Sequence, residues 1–306
     1  MTDFLVIGES VADVVRTPGR PDVVHPGGSP ANVAYGLARL GRSTSLLTQL
    51  GPDRHGTLIA EHLRSAGVEL LTDGQQGLRT PSAAVTLDEH GAAGYAFDIH
   101  WTLREPEPAG PPGHVHFGSI GAVRDPGAAA VMALVRRLRG SATVSYDPNI
   151  RPQLTGDQAD LVGRVERCVG LSDLVKASDE DLAWLYPGEP VAAVAARWLA
   201  LGPAAVLVTR GAQGAVGRTR SGGAAVPAVG AAVVDTVGAG DSFMSATLDA
   251  LADLGLLGAG SRPGLDLPDD TLERVLRHAA AAAAVTVSRA GANPPDRREL
   301  RAARAT

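Results

Sequence analysis

Two carboxylates stand six positions apart in "DTVGAGDSF" (residues 235 to 243), separated by small residues and followed at once by a helical pattern. A glycine-rich loop that feeds a helix points several backbone N–H groups one way and adds the positive end of the helix dipole. It can therefore hold a phosphate or a developing oxyanion. Gly238, Ala239 and Gly240 would form such a cradle, and Asp241, in the first turn of "DSFMSATLDALADL", could take a proton from a hydroxyl held beside it. That chemistry suits transfer of a phosphoryl group to an alcohol. The plainer alternatives are that Asp241 caps or complements a helix dipole and that Asp235 closes a turn after "AAVV".

Three further stretches carry candidate chemistry. In "GGSPANVAYGLARLG" (27 to 41), Ser29 and Pro30 start a helix, Val33, Leu37 and Leu40 give it an apolar face, and Gly41 ends it. Gly27 and Gly28 leave room for a ligand, and the amide of Asn32 can both donate to and accept from a polyol; an ordinary capped helix with a surface Asn fits equally. "VTRGAQGAV" (208 to 216) is a strand followed by Gly211 and Gly214, either a plain strand–turn–strand or a close approach to nucleotide phosphates. "DPNIRPQL" (147 to 154) ends another apolar strand with an acid, an amide and an arginine, where open α/β sheets place their ligands.

The elements that must position these residues alternate along the chain. "FLVIG", "TSLLTQL", "HVHFGS", "ATVSYD", "DLVKA" and "AAVLVT" have strand length, and helical periods begin at Ala31, Gly56, Ala128, Ala159, Val191 and Ser242. The pattern predicts an α/β fold with a central, mostly parallel sheet and helices on both faces. Residues about 10–27 and 79–103 instead alternate with period two and no intervening helix, which predicts a small antiparallel β lid standing off a single domain that spans 1–306. "REPEPAGPPG" (104 to 113) then returns the chain to the body as a semi-rigid connector.

Composition narrows the function classes. A chain of 306 residues, 44% hydrophobic, buries a sizeable core, and a net charge of −5 argues against a nucleic-acid or anionic-membrane partner. Cys168 is the single cysteine, so no internal disulfide or cysteine zinc cluster forms, and the expected setting is cytoplasmic. The N-terminus lacks a signal-peptide pattern, and the alanine-rich run from Ala279 is too short to span a bilayer. The chain's one lysine, Lys176, lies in "LVKASD", which does not fit a P-loop, and "VIGESVAD" does not fit a dinucleotide-binding glycine fingerprint.

In this order and spacing, "GGSPANVAYGLARLG", "VTRGAQGAV", "DPNIRPQL" and "DTVGAGDSFMSA" resemble the ribokinase or PfkB family of carbohydrate kinases. The similarity runs from "VIGES" to "SRAGANPP", and "DPNIRPQL" and "VKASDEDLAWL" look most like the fructokinase branch. The resemblance implies a ribokinase-like fold and ATP-dependent phosphorylation of a primary hydroxyl of a small sugar, fructose or a related ketose first. 2-Keto-3-deoxygluconate, ribose, a nucleoside, or a non-catalytic sugar-binding regulator are the alternatives. It further implies Asp241 as the catalytic base and Gly238 to Gly240 as the anion hole. Asp13, Gly27, Gly28 and Asn32 would be sugar contacts, Arg151 a substrate or phosphate contact, and Thr209, Gly211 and Gly214 the nucleotide loop.

A monovalent-cation site, for potassium, would be formed by Asp235, the carbonyl of Val237, and the segment around Thr286, Arg289 and Gly291. The family's Asn-x-x-Glu element, which helps to organise magnesium and phosphate, is here Ser178-Asp179-Glu180-Asp181. Its acidic end is one methylene shorter, so the resemblance places a water-mediated Mg²⁺ contact at Asp181 and a cofactor contact at Ser178; the same spacing also fits a capping box. Tyr95, Phe97, His100 and Trp101 would shape substrate choice from the lid, or pack it, and the exposed edges of a projecting sheet predict a homodimer through the lid.

Overall fold

The computed structural model describes residues 4–17, 19–72, 78–87, 93–104, 111–258, 265 and 267–304. Most of the Pro/Gly connector (105–110), the middle of the second lid stretch (88–92) and the side chain of Tyr95 lie outside the described residues. The apolar runs form β1 (Phe4–Ile7), β2 (Val11–Arg16), β3 (Val23–Gly27), β4 (Thr44–Leu47), β5 (Glu69–Leu71), β6 (Ser82–Leu87) and β7 (Ala93–Asp98). Further along come β8 (His114–Gly118), β9 (Thr143–Asp147), β10 (Leu174–Ser178), β11 (Ala205–Thr209), β12 (Ala215–Thr219) and β13 (Gly223–Val226). Among the described residues they make a nine-stranded sheet of order β13-β12-β11-β10-β9-β8-β1-β4-β5 and a four-stranded sheet of order β3-β2-β6-β7.

From β5 to β11 every pairing in the large sheet is parallel; β12 and β13 close one edge antiparallel. The helices between strands are α1 (Ser29–Arg39), α2 (Arg54–Ser65), α3 (Ser119–Val123), α4 (Gly127–Leu138), α5 (Pro152–Thr155), α6 (Gln158–Gly170), α7 (Asp179–Leu185) and α8 (Val191–Leu201). After the sheet follow α9 (Ala239–Asp253), α10 (Asp269–Val287) and α11 (Arg297–Ala303). Strand residues alternate between two cores: Phe4 and Val6 pack with α1, α2, α9 and α10, while Leu5 and Ile7 pack with α4, α6, α7 and α8. The period-two stretches form two antiparallel hairpins, β2–β3 and β6–β7, joined edge to edge by a parallel pairing of β2 with β6.

One seam fixes the body. Helices α1 and α9 run in the same direction and approach closely at Gly36, where a Cβ would come within 2.5 Å of Ser245 Oγ. Two turns along α9 from Asp241, the fully buried Asp249 accepts hydrogen bonds from Arg42 Nε at 2.6 Å and from Arg297, and its second oxygen meets His278 Nε2 at 3.1 Å. Burial works to raise the pKa of Asp249, but the His278 hydrogen bond and the charges of Arg42 and Arg297 prevail and hold it below the ordinary carboxylate value. Replacing Asp249 with Ala should therefore lower unfolding free energy by about 3 kcal/mol, because it strands the cations that tie α9 to α10, α11 and the exit of α1. Urea titration of the variant at pH 7 checks the loss.

Candidate active site

The carboxyl ends of five neighbouring parallel strands open into one cavity of about 810 Å³. Glu9 follows β1, Ser119 follows β8, Asn149 and Arg151 follow β9, Ser178 ends β10 with Asp181 in the first turn of α7, and Thr209 ends β11 with Gly211 in the turn after it. The amino-terminal ends of α1 and α9 face them, bringing Gly28, Ser29, Asn32, Gly238, Gly240 and Asp241 to the same space, and Asp13 and Ala83 of the small sheet close it from the side. A crevice at the strand ends with two helix amino termini turned toward it favours a negatively charged ligand.

Asp241 is 8% exposed and held from two sides: Ser29 Oγ donates to Oδ1 at 2.6 Å, and Asn32 Nδ2 donates to Oδ2 at 2.8 Å. Ser29 and Asn32 lie one turn apart on the first turn of α1, so the seam that packs Gly36 on Ser245 also aims both donors at this carboxylate. The sequence marks Ser29 as a helix start, yet its hydroxyl makes no cap and serves Asp241 instead. Gly238 begins α9 in the left-handed region (φ 75°), and a Cβ there would meet Ala292 Cβ at 2.6 Å, so glycine is required on both counts. The Ala239 N–H turns back to Thr236 O at 3.3 Å and Ala239 does not line the cavity; the cradle facing it is made by Gly238 and Gly240.

At one end of the cavity, burial raises Asp13 to about 6, with the positive charges of Arg151 and His25 acting against it. Gly27 is beside it rather than on the cavity wall, where a Cβ would stand 2.1 Å from Asp13 Oδ2. Glu9, which the sequence does not single out, is buried at the same end and accepts from the Gly121 N–H at 2.9 Å. Burial raises it to about 7, with hydrogen bonds to Ser119 and Gly121 and the charge of Arg151 opposing. A signal for it existed in its place, two residues past a buried parallel strand.

At the other end, Thr209 and Gly211 face the cavity, whereas Gly214 turns against β13, where a Cβ would meet Val226 O at 2.1 Å. Residues 208–216 thus form a strand–turn–strand whose first half alone reaches the site. Ser178 and Asp181 complete a capping box on α7: Asp181 N donates to Ser178 Oγ at 3.0 Å and Ser178 N to Asp181 Oδ2 at 2.9 Å. Asp181 Oδ1 also accepts from Ile150 N at 2.7 Å, tying the loop after β9 to the start of α7. Each carboxylate oxygen carries one backbone donor and retains acceptor capacity, and Asp181 lines the cavity.

Asp235, Thr286, Arg289 and Gly291 lie behind the cradle and off the cavity wall, while Val237 lines it. Asp235 joins the two loops, accepting from Val237 N at 3.0 Å and from Gly291 N at 2.8 Å. The Arg289 guanidinium turns to Glu299 at 2.8 Å, and the Thr286 hydroxyl donates to Ala282 O inside α10. Of the aromatic candidates, Trp101 is core: it is 1% exposed, and its Nε1 donates to Gly121 O at 2.9 Å. Phe97 shares a face of the small sheet with Asp13 and Ala83, with which it is in register, but like His100 it is exposed and does not line the cavity.

The structure also yields a pH signature. The folded state holds the Glu9 proton between about pH 4.5, where the unfolded chain releases it, and about 7, so the contribution of this group to stability falls as pH rises through that window. Glu9→Gln should remove the slope, and the stability difference between variant and parent should move in the variant's favour by about 3 kcal/mol from pH 4.5 to 7. Denaturant unfolding at the two pH values measures it.

The model of the family described as "pfkB family carbohydrate kinase" matches residues 1–298 of the chain. The chain is 34% identical over 259 residues to a fructokinase of Rhizobium leguminosarum bv. trifolii, covering 81% of this chain and 79% of that protein. A crystal structure of fructokinase with bound ATP from Xylella fastidiosa superposes with a TM-score of 0.84 at 27% identity, over 98% of this chain and 97% of the other. A fructokinase double mutant from Vibrio cholerae O395, in a fructose-, ADP- and potassium-bound form, superposes with a TM-score of 0.83 at 25% identity, over 99% and 98%.

Proposed function

The chain belongs to the pfkB family of carbohydrate kinases, and on that premise we propose that it transfers the terminal phosphoryl group of ATP to a primary hydroxyl of fructose. The observation that carries the proposal is the setting of Asp241: a carboxylate aimed by Ser29 and Asn32 at the start of α9, beside Gly238 and Gly240, midway along a cavity with polar sugar-type contacts at one end and Thr209 and Gly211 at the other. The fructokinases among its relatives, and the fructose, ADP and ATP named in the structures it resembles, support the choice of substrates.

In this mechanism Asp13, Asn32 and Arg151 hold the sugar hydroxyls, Gly28 gives them room, and Gly27 gives room to the Asp13 carboxylate. The reacting oxygen then lies beside Asp241. A carboxylate is too weak a base to ionise an alcohol beforehand, so Asp241 accepts the proton late, as the oxygen bonds to phosphorus and the ADP oxygen departs. The first-turn amides of α9 stabilise the charge on the transferred group, and Thr209 and Gly211 seat the nucleotide, with Gly214 setting their turn.

The donor sets suit the expected ions. Asp181 and the neighbouring Glu180 present hard carboxylate oxygens to the cavity, which fits Mg²⁺, an ion that keeps waters and is held chiefly through phosphates. Mg²⁺ bound with ATP would neutralise phosphate charge, with Asp181 and Ser178 placed to hold its hydration shell. For potassium, Asp235 and the backbone carbonyls around Val237, Thr286 and Gly291 supply oxygen, and the Arg289 guanidinium is turned to Glu299.

We assign the small sheet as the lid and as the contact between two copies of the chain, because Val23 and Phe97 stand 51% and 38% exposed on it. The cytoplasm, where ATP is kept, is the assigned compartment. A sugar panel assayed for ADP release should show fructose as the best acceptor, and Asp241→Asn should reduce turnover by about 10²–10⁴-fold while fructose binding by calorimetry persists. Binding without phosphorylation by the parent protein would make it a sugar sensor instead. Light scattering should give a dimer for the parent and a monomer for Phe97→Asp.

A further inference from the structure

The 28 basic side chains of the protein include a single lysine, and it is buried in this site. Lys176 stands on β10, one residue beyond the Val175–Tyr146 pairing with β9, and its Nζ donates to Asp147 Oδ2 at 2.7 Å. An ammonium has three N–H donors, and among the described residues this is the one hydrogen bond that Nζ makes. Lys176 also lines the cavity, and a Cβ on Gly240 would come within 2.9 Å of Nζ, so the ammonium lies against the wall of the anion cradle.

Two physical arguments separate this arrangement from a buried ion pair that merely stabilises the fold. An ion pair sealed in a core gains little over apolar residues of the same volume. A chain that otherwise uses arginine throughout would find in arginine the better partner for a carboxylate, because its fork makes two hydrogen bonds. What lysine offers is a compact point charge with donors to spare. Burial opposes that charge, but Asp147, Asp241 and Asp181 outweigh it and keep the pKa above the ordinary lysine value.

We propose that Lys176 is a catalytic residue that binds the phosphoryl group in transfer, its ammonium held by Asp147 and donating past Gly240 to an oxygen of that group. The inference rests on the kinase reading above. The balance of the step is unchanged: the sugar oxygen bonds to phosphorus, the bond from phosphorus to the ADP oxygen breaks, and the hydroxyl proton goes to Asp241. Lys176 keeps its three protons throughout and adds a full positive charge to the partial charges of the amides.

A chain with one lysine gives one lysine side-chain signal when grown on ¹³C-lysine. That Cε signal should shift when a non-hydrolysable ATP analogue is added with Mg²⁺, and stay within a small fraction of that shift with ADP or fructose alone. Lys176→Met should lower kcat about 10²–10³-fold with the fructose KM within twofold. Lys176→Met with Asp147→Asn removes both buried charges, protecting the fold, and should show the same loss; Lys176→Arg should not restore turnover. A signal unmoved by the analogue in a protein that phosphorylates fructose, or a double variant with parental kcat, would overturn the proposal and leave the pair structural. Failure of the parent to phosphorylate any sugar would overturn the kinase reading instead.

Discussion

The parallel seam between α1 and α9 is the constraint from which the site follows. Asp241, Ser245, Asp249 and Asp253 recur every fourth residue on one stripe of α9, and each meets α1 or its exit: Ser29 and Asn32, then Gly36, then Arg42 for the last two. Two buried carboxylates on the same stripe thus have opposite fates. Asp249 is sealed among Arg42, Arg297 and His278, a charge fully compensated and closed to solvent. Asp241 receives two neutral donors and opens on a cavity, so its charge stays available to a ligand. A shift in helix register that displaced one would displace the other.

The large sheet contributes the opposite wall, and its chemistry changes along the face toward α9. Near β1 and β4 that face carries Phe4, Val6 and Leu46 with Thr44 as its one polar residue, but on β8, β9 and β10 it carries His114, His116, Thr143, Ser145, Asp147 and Lys176. The histidines join through Ser145, His114 Nε2 at 2.8 Å and His116 Nδ1 at 2.9 Å, and burial lowers both pKa values, His114 to about 3. They are neutral members of a polar core and not acid–base groups. The polarity rises toward the strand ends, where the Asp147–Lys176 pair stands beneath the cradle with donors of the ammonium unused, so a charged ligand meets a wall that can still donate to it.

Much of this was legible in the sequence because its signals are local. The spacing in "GGSPANVAYGLARLG" and "DTVGAGDSF" places two helix starts, and the alternation of apolar runs gives the parallel sheet and its faces. What stayed hidden is contact between distant positions: Ser29 with Asp241 across 212 residues and Lys176 with Asp147 across 29. Ser29 has the residue type of a helix cap, so propensity explains it without its true partner. Gly214 and Ala239 share their motifs with cavity-lining neighbours, and only backbone direction separates those that face the ligand from those that face β13 or Thr236. Ser178 and Asp181 satisfy a local cap and a cavity position at once, and sequence spacing alone does not distinguish the two.

The small sheet is wired to the reacting centre by the chain itself. Strand β3 ends at Gly27 and α1 begins at Ser29, leaving Gly28 as a one-residue tether between the sheet that carries Asp13 and the helix turn that grips Asp241. Such a coupling has almost no slack. Any displacement of the small sheet against the body would load Gly28 or the hydroxyl of Ser29, so the placement of Asp13 and the aim of Asp241 are tied through a single residue.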